Sequence, residues 1–219
     1  MLQQELRGKG FDAAIIFSDT YRPGNCLYIA NYRPRDGVYS AFCIVFLPLD
    51  DSPILFVDNF NISAARRTTW IEDVEPLENF KTYLRQQSLS FKNIGIIGWE
   101  IMPVMLYDII RKELHESKID GITEVLSRLR HVKSERELKL MERAAKIGDR
   151  GMEAAIEALR PGISELEIVS IAENIITSHG GEVREASIVA SGPEGSPPSR
   201  WLSTKRIKRG ELVRIDLHP

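Results

Sequence analysis

The longest regular pattern of apolar and polar positions lies in residues 129–167 and predicts two consecutive helices. Each helix is preceded by a capping box of the form Ser-x-x-Glu, from Ser134 to Glu137 and from Ser164 to Glu167. In such a box the serine hydroxyl accepts a hydrogen bond from the amide three residues later, and the glutamate accepts one from the serine amide. The turn Arg160-Pro161-Gly162 ends the first helix, since proline cannot continue a helix and glycine readily adopts a left-handed conformation.

A stripe of apolar and small residues follows one face of the first predicted helix at spacings of three and four. We expect the whole stripe to be buried against a closely packed neighbour; it consists of Leu138, Met141, Ala145, Gly148, Met152, Ala155 and Leu159. The second helix is predicted to end at His179-Gly180-Gly181. Its predicted buried face consists of Ile168, Ile171, Ala172, Ile175 and Ile176.

The first 120 or so residues instead show strands that alternate with helices, which is the pattern of an α/β layer with a mixed sheet. The predicted strands are 13–17, 39–47, 54–57 and 94–98, and the predicted helices are 2–9, 63–69, 76–87 and one that begins at Pro103.

The pattern changes again after the second capped helix, where a strand at 186–190, a loop at 191–200 and a strand at 211–217 are predicted. Paired helices that lead into two strands indicate an α+β unit. We therefore expect a boundary near 121–128 and two domains, 1–125 and 126–219. Because the last strand has no successor to pair with, we expect the sheet to be completed elsewhere or the chain to be part of a longer protein.

Composition narrows the possible partners. The 219 residues are 43% hydrophobic and 27% charged, with a net charge of −2, so neither nucleic acid nor an anionic membrane is expected as the main partner. The basic run Lys205–Arg209 is interpreted as a solvated turn. Cys26 and Cys43 offer neither a disulfide framework nor a zinc knuckle. The N-terminus lacks a signal-peptide pattern, so we expect a cytoplasmic protein.

Three blocks of sequence together resemble the creatinase, prolidase and aminopeptidase P family. They are Leu129–Ser134 with Glu137, Arg160–Glu165, and Val189–Gly192 followed by Ile207–Leu217. The stretch before residue 125 is similar to the family's N-terminal domain, for example at Lys9–Ala13 and Asn25–Ile29. The resemblance implies an α/β N-terminal domain with a mixed sheet, followed by an incomplete α+β domain of the pita-bread fold.

The same resemblance implies a metal-dependent hydrolase similar to Xaa-Pro aminopeptidases and prolidases, in which the whole protein cleaves a peptide or amide bond with two divalent ions of the manganese, cobalt or zinc type. It makes Asp216 the first metal ligand and places a second aspartate, a histidine and two glutamates further along. With one ligand, this chain alone is expected to hold no metal pair and to be inactive. No catalytic residue is identifiable within it. The family resemblance also implies a homodimer.

One position departs from the family. Where the family's peptidases carry a substrate-contacting histidine, this chain has Ser199, beside Arg200 and Trp201, and these three are the candidate substrate-binding residues. The departure leaves open a creatinase-like hydrolase of a small polar substrate, or a non-catalytic binding or dimerisation module of the same fold. His218 shares a strand face with Asp216, but is expected to be a solvated residue and not a ligand.

Overall fold

The computed structural model describes residues 1–34, 41–183, 187–193 and 202–218. The chain divides into two units, Met1–Val132 and Lys133–Pro219. The sequence placed this boundary earlier, after residue 125. The structure keeps the intervening helix with the first unit, because Val125 and Leu126 are buried in that unit's core.

Helices and strands alternate along the first unit. In chain order they are α1 (Leu2–Gly8), β1 (Ala13–Asp19), α2 (Gly24–Ala30), β2 (Phe42–Pro48), β3 (Ile54–Val57), α3 (Ile62–Thr68), β4 (Asp73–Pro76), α4 (Leu77–Gln86), β5 (Asn93–Ile97), α5 (Val104–Glu113), β6 (Lys118–Gly121) and α6 (Thr123–His131), with short 3₁₀ turns at Asn59–Asn61 and Trp99–Ile101. In the described residues the strands form one sheet, in the order β4-β3-β2-β1-β5-β6. The β1/β2 and β2/β3 pairs are antiparallel and the other pairs are parallel, so the predicted mixed sheet is confirmed.

Strand β1 is buried on both faces, as its continuous apolar run predicts. Ala14 and Ile16 face a core that includes side chains of α1, α2 and α6. Ile15 and Phe17 face a second core, to which α4 and α5 contribute. The sheet is therefore covered on both faces by helices, which is the architecture of an α/β layer.

Four short elements of this unit are absent from the sequence prediction: α2, α6, β4 and β6. The two strands read Asp-Val-Glu-Pro and Lys-Ile-Asp-Gly and form the two edges of the sheet, where one face packs and polar residues are tolerated. Helix α2 begins directly after Pro23, in a stretch for which the sequence predicted neither a helix nor a strand. Short elements with little periodic signal are the ones that pattern analysis misses.

The described part of the second unit consists of α7 (Glu135–Ala158), α8 (Glu165–Ser178), β7 (Ile188–Ser191) and β8 (Val213–Asp216). Both capping boxes are confirmed. In each, the serine hydroxyl accepts a hydrogen bond from the glutamate amide, and the glutamate carboxylate accepts one from the serine amide. In the second box, Glu167 Oε2 accepts from the Ser164 amide at 2.8 Å. The predicted turn between the helices is also present, and Gly162 adopts a φ of +92° there.

The prediction of a fully buried stripe on α7 is wrong in its N-terminal half, where Leu138, Met141 and Ala145 are exposed in the structure. Helix α8 has 14 residues against 24 in α7, so it spans about 21 Å of a helix about 36 Å long and cannot cover it all. Gly151, which the stripe did not include, is buried, and a Cβ added there would lie 2.8 Å from Ile176 Cγ1 of α8. On α8, Ile171 is likewise exposed, contrary to prediction.

Strands β7 and β8 form an antiparallel hairpin in which Ile188 pairs with Asp216 and Ser191 pairs with Val213. Val189 and Ile215 pack with residues of α8 in the core of this unit. Strand β8 is shorter than the predicted strand 211–217. The arrangement of two helices and a hairpin confirms the α+β character expected for this part of the chain.

Candidate functional site

Asp216 lies at the C-terminal end of β8, on the face of the hairpin opposite to the core. Val213 and Ile215 pack against the core of the second unit, and successive side chains of a strand point to opposite faces. Arg214 and Asp216 therefore share the other face. The Asp216 side chain is 55% exposed, so its carboxylate is accessible to a ligand.

His218 follows Asp216 on the same side, with Nε2 at 3.5 Å from Asp216 Oδ1. Its side chain is 36% exposed, so it is less solvated than the sequence suggested. A carboxylate oxygen next to an imidazole nitrogen is a donor set that suits zinc, cobalt or manganese. The described residues contain no group of three or more His, Cys, Asp or Glu that could hold a metal ion. Asp216 is therefore suited to be one metal ligand, but the described residues do not supply the other ligands that a metal site needs.

The three predicted substrate-binding residues, Ser199, Arg200 and Trp201, lie outside the described residues. The chain on either side of them is described, up to Pro193 and again from Leu202. The structure therefore shows the contacts of the residues that precede and follow this segment.

A buried carboxylate that the sequence analysis did not single out contacts the chain on both sides of residues 194–201. Glu165, in the first turn of α8, has no solvent exposure. Its Oε1 accepts from the Ser191 amide at 2.8 Å and from the Ser191 hydroxyl at 2.9 Å, and its Oε2 accepts from the Ser203 hydroxyl at 2.5 Å. One side chain thus connects the start of α8, the end of β7 and the segment after residue 202.

Lys205 extends this network towards β8. Its Nζ donates to the Ser191 hydroxyl at 2.6 Å and to Glu211 Oε2 at 2.8 Å. The hydrogen bond from the Lys205 ammonium, and a second from the Lys208 amide, hold the pKa of the Glu211 carboxyl below its ordinary value. The interpretation of Lys205–Arg209 as a wholly solvated turn is therefore wrong, because Lys205 is engaged in an ion pair and Ile207 is buried.

Ser191 and Lys205 do not form a catalytic pair of nucleophile and general base. A lysine that activates a serine must be neutral, whereas Lys205 donates to the Glu211 carboxylate as an ammonium ion. Ser191 is also completely buried, so no substrate reaches its hydroxyl. The network therefore orders the chain and does not itself react.

A cavity of about 780 Å³ lies at the end of the hairpin opposite to Asp216. It is lined by Ala190, Gly192, Pro193, Gly210, Glu211, Leu212, Val213 and Arg214. Arg214, the lining residue nearest to Asp216 on β8, is two residues from it, which corresponds to roughly 7 Å, and Asp216 itself is not part of the lining. The cavity therefore adjoins the anchored Gly192-Pro193 segment and not the candidate ligand.

Residues 1–132 match the family model described as the creatinase/prolidase N-terminal domain. The chain belongs to the creatinase/prolidase family. Residues 139–219 match the model for metallopeptidase family M24, so Asp216 and the Glu165 network both lie inside that match. The resemblance drawn from the three sequence blocks is thereby confirmed.

Curated relatives in this family include the Xaa-Pro dipeptidase of Pyrococcus horikoshii, which is 30% identical over 195 residues, or 88% of this chain and 52% of that protein. The Xaa-Pro dipeptidase of Pyrococcus furiosus is 27% identical over 198 residues, or 90% of this chain and 54% of that protein. The chain spans about half the length of these relatives.

Solved structures give the same fold. The prolidase from Pyrococcus horikoshii OT3 matches with a TM-score of 0.80 at 25% identity, covering 99% of this chain and 58% of that one. The X-Pro aminopeptidase from Thermotoga maritima MSB8 matches with a TM-score of 0.85 at 25% identity, covering 99% and 59%. Within the described ranges, every helix is too short or too polar to cross a lipid bilayer.

Proposed function

We propose that the whole protein is a metal-dependent hydrolase that cleaves a peptide or amide bond in a small peptide. The observation that carries this proposal is Asp216, an accessible carboxylate at the end of β8 within the residues that match family M24. The two Pyrococcus relatives reported above carry the name Xaa-Pro dipeptidase, which supports a dipeptide with proline in the second position as the substrate.

Asp216 is proposed as the first ligand of two divalent ions of the manganese, cobalt or zinc type, with the other ligands supplied by the rest of the whole protein. Two such metal ions, when bound, would lower the pKa of a water molecule and polarise the scissile carbonyl. The part played by this chain is to present an oxygen donor from a strand end, whose position is fixed by the ladder with β7. Because one ligand cannot hold two ions, we expect the 219-residue chain to be inactive by itself.

Ser199, Arg200 and Trp201 are proposed to contact the substrate. The guanidinium of Arg200 presents a planar pair of donors that matches a carboxylate, and Ser199 can give one short hydrogen bond. A serine at the position where the resemblance places a histidine favours a second candidate, a creatinase-like hydrolase of a small polar substrate. A cytoplasmic homodimer completes the proposal.

The test compares hydrolysis of an Xaa-Pro dipeptide and of a small carboxylate-bearing amide by the whole protein with added Mn²⁺. We expect turnover that a chelator abolishes, and Arg200→Ala should raise KM by about tenfold, or roughly 1.4 kcal/mol of binding free energy. The exposed Arg209 gives a matched control, because Arg209→Ala removes the same charge nearby. Turnover of the amide alone would favour the creatinase-like reaction. Absence of turnover with both substrates would indicate a non-catalytic module.

A further inference from the structure

We propose that His218 supplies a nitrogen donor beside Asp216, so that the end of β8 offers an oxygen and a nitrogen to one divalent ion and favours zinc or cobalt over manganese. This inference rests on the proposed function and adds a ligand to it, at a residue that the sequence analysis expected to be solvated. Even with both donors the chain supplies too few ligands for two ions, so it is still expected to be inactive by itself.

The backbone directs both side chains to one face of the hairpin. Ile215 and Leu217 pack against the core of the second unit, and successive residues of an extended chain point to opposite faces. Asp216 is also fixed by its pairing with Ile188 of β7. The extended backbone, held on its other face, therefore places the carboxylate and the imidazole side by side.

The separation of the two donor atoms matches that of two ligands of one tetrahedral ion. His218 Nε2 lies 3.5 Å from Asp216 Oδ1, which is beyond the usual hydrogen-bond range of about 2.7–3.2 Å. Zinc binds nitrogen and oxygen ligands at about 2.0–2.2 Å, so two of its tetrahedral ligands lie roughly 3.4 Å apart. Adjacent ligands of an octahedral ion would lie roughly 3.0 Å apart at the same bond length, and manganese favours octahedral oxygen ligands. The observed separation therefore favours an ion such as zinc.

The imidazole of His218 is partly buried but is not engaged in a hydrogen bond within the described part of the chain. Its Nδ1 is buried and has no hydrogen-bond partner there, and Nε2 has only the Asp216 carboxylate nearby. A buried polar atom without a partner is costly, and an ion-binding role is one recognised reason for such a group. No hydrogen bond to a described residue therefore competes with a metal for the lone pair of Nε2.

The pair His115 and Glu116 has similar spacing without the same support. His115 Nε2 lies 3.4 Å from Glu116 Oε1, and the two side chains are 64% and 65% exposed. Ordering two exposed side chains around an ion costs conformational entropy, so spacing alone does not make a metal site. The side chain of His218 is only 36% exposed and has a buried nitrogen, so less of this cost remains. His115 is therefore the matched control.

The experiment measures the binding of Zn²⁺ and of Mn²⁺ to the whole protein by calorimetry, in the wild type, His218→Ala and His115→Ala. In His218→Ala the affinity for Zn²⁺ should fall at least about tenfold and that for Mn²⁺ less than about threefold, because imidazole suits zinc and manganese prefers oxygen ligands. His115→Ala should change neither affinity. Equal losses for the two metals would show that His218 only orients Asp216, and unchanged affinities would show that it has no part in the site. Either result would overturn the proposal.

A second readout needs neither activity nor the whole protein. It follows the imidazole NMR signals of the 219-residue chain during titration with Zn²⁺. The signals of His218 should shift at a concentration at least about tenfold lower than those of His115, and Asp216→Asn should remove this difference. Equal midpoints in the wild type would contradict the proposal. A wild-type whole protein that binds neither metal would overturn the proposed function, and the NMR titration would then decide alone whether Asp216 and His218 form a donor pair.

Discussion

Lys205 and Glu211 form an ion pair in which Nζ lies 2.8 Å from Oε2, and both side chains are largely withdrawn from solvent. The same carboxylate oxygen accepts from the Lys208 amide at 2.8 Å, which closes the turn that leads into β8. The Glu211 carboxylate thus stabilises the turn that precedes β8, the strand that carries Asp216.

This pair predicts how stability depends on pH. The pKa of Glu211 is lower in the folded chain than in the unfolded chain, chiefly because of the hydrogen bond from Lys205. Such a group contributes stability above its unfolded pKa and loses that contribution as the pH falls through its folded pKa. The urea midpoint should therefore fall between pH 7 and pH 3, and the fall should be smaller in Glu211→Gln. The exposed Glu153 supplies the control, since Glu153→Gln should keep the wild-type fall. An undiminished fall in Glu211→Gln would contradict the assignment.

A second prediction concerns the helix pair. A Cβ added at Gly151 would lie 2.8 Å from Ile176 Cγ1 and 3.3 Å from the Ala172 carbonyl oxygen. Overpacking of this kind costs about 1–3 kcal/mol and outweighs the gain of about 1 kcal/mol in helix propensity. We expect Gly151→Ala to lower the free energy of unfolding by about 1 kcal/mol in urea titrations.

Gly8, in α1, is the matched control, because nothing lies within 4 Å of the Cβ that would be added there. Gly8→Ala should leave the free energy of unfolding unchanged or raise it by up to about 1 kcal/mol. Equal effects of the two glycine substitutions would show that α7 and α8 do not pack closely at Gly151.

The third prediction tests where the first unit ends. Leu126 of α6 is buried in the core of that unit, so Leu126→Ala should lower the free energy of unfolding by about 2–5 kcal/mol. The fragment 1–132 should unfold cooperatively in urea, and the fragment 1–121, which lacks α6, should not. The exposed Arg128 on the same helix gives the control, and Arg128→Ala should have little effect. A stable fragment 1–121 would support the earlier boundary.

The fourth prediction is that the 219-residue chain hydrolyses no Xaa-Pro dipeptide, even with excess Mn²⁺, because it supplies one proposed ligand of the two-ion site. Turnover would be followed by release of free proline. Measurable hydrolysis that disappears in Asp216→Ala would show that the ligand count is wrong.

The sequence was sufficient for those parts of the fold in which local signals and packing agree. Strand β1 is a continuous apolar run, and the capping boxes at Ser134 and Ser164 mark both helix starts to the residue. The exposure of Leu138 and Met141 could not be predicted from the sequence. An apolar stripe shows which face of a helix can pack, but the length of the neighbouring helix decides how much of that face is buried.

The Glu165 network was out of reach for a different reason. Glu165 and Ser203 are 38 residues apart in sequence, and the network includes serines, which are common on surfaces. The one local signal is that Ser-Glu-Leu-Glu contains two glutamates, although a capping box uses only the second. The position of the β7–β8 hairpin decides that Glu165 and not Glu167 is buried, and this position depends on tertiary structure. Asp216, by contrast, could be selected through family resemblance but not through the pattern around it.

Calorimetric titration with Mn²⁺ tests directly whether Asp216 is a metal ligand of the whole protein. We expect the whole wild-type protein to bind two ions per chain. In Asp216→Asn one ion should be lost, or the affinity should be at least about tenfold weaker, which is roughly 1.4 kcal/mol. Asp149→Asn, the same change at an exposed position of α7, should bind as the wild type does. Identical stoichiometry and affinity in Asp216→Asn and in the wild type would show that Asp216 is not a metal ligand.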